Sequence, residues 1–267
     1  SFPTRRSSDL FVLLAEAPSV LRRMVGPELR KVKHPRNRNA QETIISAMIV
    51  EIYSDLICPW CYIGKRRLEL ALAERPRLPL ERRWQPYELN PDMAPAGIDR
   101  VAYLAAKFGG IERARQVYGV IEETAAKDGI PIRLDRIRRT PNTLAAHRLV
   151  RLAGRSGLAD VMTDLLFDAY FIESLDIGDR DVLLSKAAQA GLDPDLTRDY
   201  LASNLDVAAI RATESVARQL GIQAVPCFIF NRRYALAGAQ EPSAFLPLLD
   251  LAAEEVTPLP QRVMRPA

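Results

Sequence analysis

The sequence predicts an α/β protein with a βαβ opening, a ββα close and a large all-helical insertion between them. Three observations carry this expectation. The run MIVEIYSD from Met48 is rich in β-branched residues and ends in Ser-Asp, a strand closed by a turn signal. From residue 99 to residue 220 apolar residues recur at helical spacing. After Gly221, β character returns at AVPCFIFN.

Each element has its own local reason. CPWC follows the first strand directly, and in IGKRRLELALAE the residues Ile63, Leu68, Leu70, Leu72 and Ala73 give an amphipathic helix. Pro59 suits the first turn of that helix, where its missing N–H is no loss. Pro76 and Pro79 end the helix, and LERRWQPYEL reads as a second strand. Residues 99–128 read as two helices divided at Gly109-Gly110. The loop GIPIRLDRIRRTPN leads to helices at 143–154, 158–172, 179–190, 194–203 and 206–220, with Asp or Ser-type caps and with Gly191 or Gly221 as stops. Their Leu/Ala stripes read as core packing. AVPCFIFN is a strand entered through a proline, Asn231-Arg232-Arg233 a turn, YALAG a short strand, and GAQEPSAFLPLLDLAAEE a C-terminal helix. The expected division is an α/β domain of residues 48–95 and 222–256, a helical lid of residues 96–221, and a flexible tail at 257–267.

The 267 residues are 48% hydrophobic and 26% charged, which excludes a disordered or collagen-like chain. No stretch approaches the roughly 20 apolar residues of a membrane span. The net charge of +4 invites a nucleic-acid reading, but its location removes that reading. Residues 1–47 carry nine Lys or Arg and four Asp or Glu, leaving 28 and 29 for the remainder, so the body is near neutral. The opening SFPTRRSSDL resembles a translated sequencing adapter. A secretory signal fits poorly, because the apolar run from Leu10 to Ala15 is shorter than the roughly 7–15 residues needed, and Pro18 follows the A-x-A triplet. Residues 1–47 are therefore expected to be a non-native or disordered extension, with a cytoplasmic protein beginning at Met48.

The three cysteines are too few for a disulfide-stapled scaffold. Two of them, Cys58 and Cys61, bracket Pro59 and Trp60 at the start of a helix. Thiol exchange needs a nucleophilic thiolate, a second thiol within reach and a means of lowering the first pKa. A C-x-x-C at a helix N-terminus supplies all three, since Cys58 faces the positive end of the helix dipole and Cys61 sits one turn in. Zinc needs about four ligands. Only Cys227 and His147 remain to supply them, without ligand spacing, so no metal is expected. Val225-Pro226 opens a strand where the proline cannot join the ladder, which calls for an edge, an entry or a bend. A trans bond is the commoner form there. A cis bond would turn the Val225 backbone toward the thiols, ready to hydrogen-bond an extended substrate.

Taken together, YSDLICPWCYIGK, PNTLAAHRL and AVPCFIFNRRYALAGAQ resemble the DsbA family of thioredoxin-fold oxidoreductases, in particular its FrnE-like branch, over residues 48 to about 256. The resemblance implies a thioredoxin-like fold with an all-helical insertion. It also implies Cys58 as the attacking and Cys61 as the resolving cysteine, Pro226 as a cis-proline, and a redox-tuning role for Trp60. The expected function is thiol–disulfide oxidoreduction on protein or low-molecular-weight thiols and disulfides. No bound cofactor is expected, and glutathione is an expected redox partner. The alternative is a glutathione-dependent isomerase or transferase like 2-hydroxychromene-2-carboxylate isomerase, a relative that resembles this fold with serine at the first position. A chaperone-like binding module, with the thiols incidental, is a third reading.

Other residues draw weaker expectations. Cys227 reads as a small buried core residue, with a third modulating thiol as the rival. His147 reads as helix surface or lid packing, and Asn142 as a cap for the helix at Thr143. Asp55 either ends its strand or biases the thiol pKa, and Arg138-Arg139 reads as a solvated face. Oligomeric state is not legible.

Overall fold

The computed structural model describes residues 47–256. The sequence-based expectations for residues 1–46 and 257–267 lie outside the described residues. Strand β1 (Met48–Ser54) leads into helix α1 (Pro59–Ala73) and strand β2 (Leu80–Pro86). A short strand β3 (Ile98–Asp99) precedes α2 (Arg100–Phe108) and α3 (Ile111–Lys127), and pairs with β4 (Arg139–Thr140). Helices α4 (Leu144–Gly154), α5 (Ala159–Phe171), α6 (Arg180–Gln189), α7 (Pro194–Ala202) and α8 (Val207–Gln219) follow. The chain closes with β5 (Cys227–Phe230), β6 (Tyr234–Ala237) and α9 (Pro242–Val256).

The main sheet runs β2-β1-β5-β6, with β2 parallel to β1 and the other pairs antiparallel. This is a thioredoxin-like arrangement, a βαβ unit and a ββα unit sharing one sheet, with the helical segment entering between them. One sheet face is a dry layer. Met48, Val50, Ile52, Phe228 and Phe230 meet Leu68 of α1 and Phe245 and Leu249 of α9. The alternation along β1 sends Tyr53 the other way, into a second cluster with Cys58, Cys61, Leu149, Phe167 and Phe171. The CPWC turn is thus embedded in apolar packing shared with the helical segment. The Tyr62 ring stacks on Phe167 at 5.1 Å and its hydroxyl donates to Asp168, fixing α1 to α5.

Local signals explain most boundaries. Asp99, Asp179 and Asp193 accept backbone N–H groups at the starts of α2, α6 and α7. Gly109 ends α2 in the left-handed conformation at φ 72°. Two expectations shift. The second strand stops at Pro86: the Tyr87 N–H still reaches the Ser54 carbonyl at 3.1 Å, but the Glu88 and Leu89 N–H groups turn away to the Glu214 and Asp55 carboxylates. The expected loop before α4 holds a 3₁₀ turn at Leu134–Arg136 and the strand β4, which the proline and arginine content concealed.

Candidate active site

Beyond Ser54 the chain turns through Asp55-Leu56-Ile57, and the Asp55 carbonyl accepts the Cys58 N–H at 3.1 Å. Cys58 is the N-cap residue of α1, in extended conformation, and Pro59 occupies the first helical turn. No side chain caps this helix end, so the partial positive charge of the helix start acts on the Cys58 thiol. Cys61 lies one turn inside. Both thiols are nearly covered, Cys58 at 5% and Cys61 at 1% exposure, and both are free. The Cys58 Sγ lies 3.7 Å from the Val225 carbonyl oxygen, and the Val225–Pro226 peptide is cis.

The two thiols differ electrostatically and titrate as a pair. A hydrogen bond from the Cys61 thiol holds Cys58 below the ordinary thiol value, against the opposing cost of burial. The Asp55 carboxylate raises Cys58 and the Lys107 ammonium lowers it. Burial lifts Cys61 well above the ordinary value, and its hydrogen bond to Cys58 lifts it further. The third thiol, Cys227, pairs with Tyr53 across the β1–β5 ladder, and burial pushes it up to about 11.

Behind the CPWC turn lies a buried polar cluster. Asp55 is fully buried; its Oδ2 accepts the Leu89 N–H at 2.7 Å and its Oδ1 stands 3.4 Å from His147 Nε2 of α4. Glu88 is buried beside it, salt-bridged to Arg211 of α8, and its own N–H donates to Glu214 at 2.7 Å. Burial and then the Glu214 carboxylate push the Glu88 carboxyl up to about 7. A cavity of about 450 Å³ is lined by Ser54, Leu56, Arg82, His147, Arg151 and Asp160, among others. Among the described residues no group of three or more His, Cys, Asp or Glu is placed to hold a metal ion, and no helix is long and apolar enough to cross a membrane.

With this geometry in place, the chain was compared with known proteins. The model of the DSBA-like thioredoxin domain matches residues 49–250. The chain belongs to that family. The probable DsbA oxidoreductase SCO1869 from Streptomyces coelicolor is 35% identical, with 80% of this chain and 93% of that one aligned at a TM-score of 0.72. The uncharacterized protein YwbO of Bacillus subtilis (strain 168) is 28% identical over 184 residues, 68% of this chain and 86% of YwbO. A 2-hydroxychromene-2-carboxylate isomerase structure shares the fold at 16% identity and a TM-score of 0.57, with 78% and 96% of the two chains covered.

In this DSBA-like domain Cys58, Pro59, Trp60, Cys61, Val225 and Pro226 come together at the junction of α1 and β5. Trp60 is half-buried against the cluster that contains Cys58. Cys227 is buried within that cluster. The remaining candidates separate. His147 is not helix surface: it is 6% exposed and faces Asp55, because α4 packs against the turn that precedes Cys58. Asp55 is both a turn residue and a charge on Cys58. Asn142 accepts the Leu144 N–H at 3.0 Å and donates to the Met93 carbonyl at 2.7 Å, so it also ties the α4 start to another loop. Arg138 and Arg139 are exposed. Sequence reasoning missed Glu88, Glu214 and Lys107. Glu88 falls at the end of LERRWQPYEL, which reads as a strand, and nothing local signals its burial.

Proposed function

We propose that this DSBA-like protein is a thiol–disulfide oxidoreductase of the FrnE-like branch that works through Cys58 and Cys61. The asymmetry of the pair carries the reading. Cys58 stands at a helix N-terminus with its thiol favoured toward thiolate, and Cys61, one turn deeper, holds its proton. In this reading Cys58 attacks a substrate disulfide and forms a mixed disulfide. Cys61 then attacks the Cys58 sulfur and releases the second substrate thiol. The Val225 carbonyl, 3.7 Å from Cys58, belongs to the backbone edge that would receive an extended substrate. Trp60 forms part of the surface around the thiol and tunes its potential. Glutathione is the proposed redox partner, and a reducing cytoplasm would favour reductase or isomerase action over oxidase action.

A redox titration of the full chain against glutathione buffers, with trapped species read by mass, tests this. The expected result is a reversible loss of two hydrogens, absent in Cys58→Ser, while Cys61→Ser accumulates mixed disulfides. A persistent glutathione adduct without an internal disulfide would overturn it in favour of a glutathione-dependent isomerase.

A further inference from the structure

Beyond the Cys61 hydrogen bond and burial, two charged side chains act on Cys58: Asp55 raises its proton affinity and Lys107 lowers it. Lys107 stands in the last turn of α2 and is exposed. Four lysines lie among the described residues. Lys65, Lys127 and Lys186 are each paired with a carboxylate, and Lys107 alone of these four is not.

What holds Lys107 is aromatic. Its Nζ donates to the Tyr103 hydroxyl at 2.8 Å and lies 5.2 Å from the Tyr103 ring centre and 6.0 Å from that of Phe108. Asn90 fixes the Tyr103 hydroxyl in turn, with its Nδ2 at 3.3 Å and its Oδ1 at 3.4 Å. An ammonium has three N–H donors, so two of them remain for an outside acceptor. This platform reaches the cysteine pair. Phe108 meets Tyr118 of α3 edge-on with ring centres 5.9 Å apart, and Tyr118, like Trp60, packs against the cluster that contains Cys58. Arg100 donates to the Tyr118 hydroxyl and holds that ring in place. An oriented cation beside a nucleophile, with no acid of its own, is suited to an acid that arrives with the substrate.

We propose that Lys107 is a specificity residue that receives a carboxylate carried a few atoms from the scissile sulfur of the substrate, so that the protein favours acidic disulfides over neutral and cationic ones. The inference rests on the oxidoreductase reading and names a substrate class for it. The carboxylate takes the free N–H groups of Lys107 while the neighbouring disulfide sulfur meets Cys58. A cationic disulfide meets an ammonium that nothing neutralises, and is disfavoured. Because Lys107 is exposed, the preference is modest and screened by salt. Two sources share this chemistry, the low-molecular-weight thiols derived from amino acids and protein cysteines flanked by Asp or Glu.

Bis(2-carboxyethyl), bis(2-hydroxyethyl) and bis(2-aminoethyl) disulfide test this, since they share one length and differ in the charge of their ends. Reduced full-length protein is mixed with each at pH 7, and loss of the reduced form is read by mass after acid quenching. The anionic and cationic rates are each divided by the neutral one, and the ratios are compared between wild type and variants. That comparison cancels the different leaving thiols and any change in the thiolate content of Cys58. In Lys107→Gln the anionic ratio should fall about fivefold at low salt, the size of one exposed charge pair in water, and the cationic ratio should rise. Lys107→Glu should carry both changes further, and about 1 M salt should bring wild type and variants together. Peptide disulfides with Asp or Asn beside the cysteine separate the sources: an Asp preference that depends on Lys107 extends the class to proteins, and its absence confines the class to small thiols. Wild-type ratios in both Lys107 variants would overturn the proposal. A wild-type protein that stays reduced with all three disulfides would instead overturn the oxidoreductase reading beneath it, and this inference with it.

Discussion

Gly64 of α1 lies directly beneath Pro226: a Cβ placed on Gly64 would stand 2.8 Å from the Pro226 Cγ and 3.2 Å from the Phe228 ring. The helix that begins at the cysteines therefore approaches the Val225–Pro226 turn closely because one of its residues has no side chain. Cys58 and Val225 are held at their 3.7 Å separation by this seating together with the sheet.

Gly64→Ala should accordingly destabilise the protein. Alanine gains about 1 kcal/mol of helix propensity. Overpacking against Pro226 costs typically about 1–3 kcal/mol. A net loss of up to about 2 kcal/mol in urea denaturation, with slower disulfide exchange, is the expected outcome. A more stable variant with unchanged exchange would show that the turn moves aside freely.

Cys61→Ala removes the hydrogen bond that contributes most to the lowered Cys58 value. The pH midpoint for Cys58 alkylation should lie below the ordinary thiol value in the wild type and move upward in the variant. Mass-resolved iodoacetamide kinetics between pH 4 and 10 would measure both midpoints, and a midpoint that stays put would sink this account of the thiolate.

Cys227 should not react in the folded protein at pH 7–8, because burial holds it as a neutral thiol up to about 11. In the unfolded chain its value falls near 8.5. The native state thus binds the proton more tightly, and this group's contribution to stability is complete below about pH 8.5 and is lost as pH rises toward 11. Cys227→Ala should flatten that alkaline decline and leave disulfide exchange unchanged. Labelling of Cys227 at the rate of Cys58 in native protein would contradict its burial.

Arg67 of α1 donates to Asp128 at 2.6 Å and to the Ala239 carbonyl at 2.9 Å, anchoring the helix to α3 and to the turn after β6. Both charged side chains are almost covered. Arg67→Ala would leave Asp128 buried without its partner, at a cost of about 3–5 kcal/mol. Chemical denaturation would measure it. A loss below about 1 kcal/mol, as for a surface pair, would refute a buried anchor.

The fold and the cysteine pair were legible because their signals are local. The β-branched run before Ser54, the helical spacing from Ile63 and the proline after Cys58 each act within a few residues. The helix ends at Gly109 and Asp193 follow from the same short-range rules. Pro226 was legible as a strand entry. Its place opposite Cys58 depended on a contact between positions 167 residues apart.

What the sequence determined by itself was the order of strands and helices, and the two thiols one helical turn apart at a helix start. Backbone propensity and capping operate over one or two turns, so composition alone specifies them. The tertiary structure decided which polar residues lose water. Asp55, Glu88 and His147 sit in separate segments that read as a turn, the end of a strand and a helix. They become a buried cluster only when α4 and the chain after β2 close over the CPWC turn. Desolvation is a property of the assembled packing, and it is desolvation that raises Glu88 and Cys61 above their ordinary values.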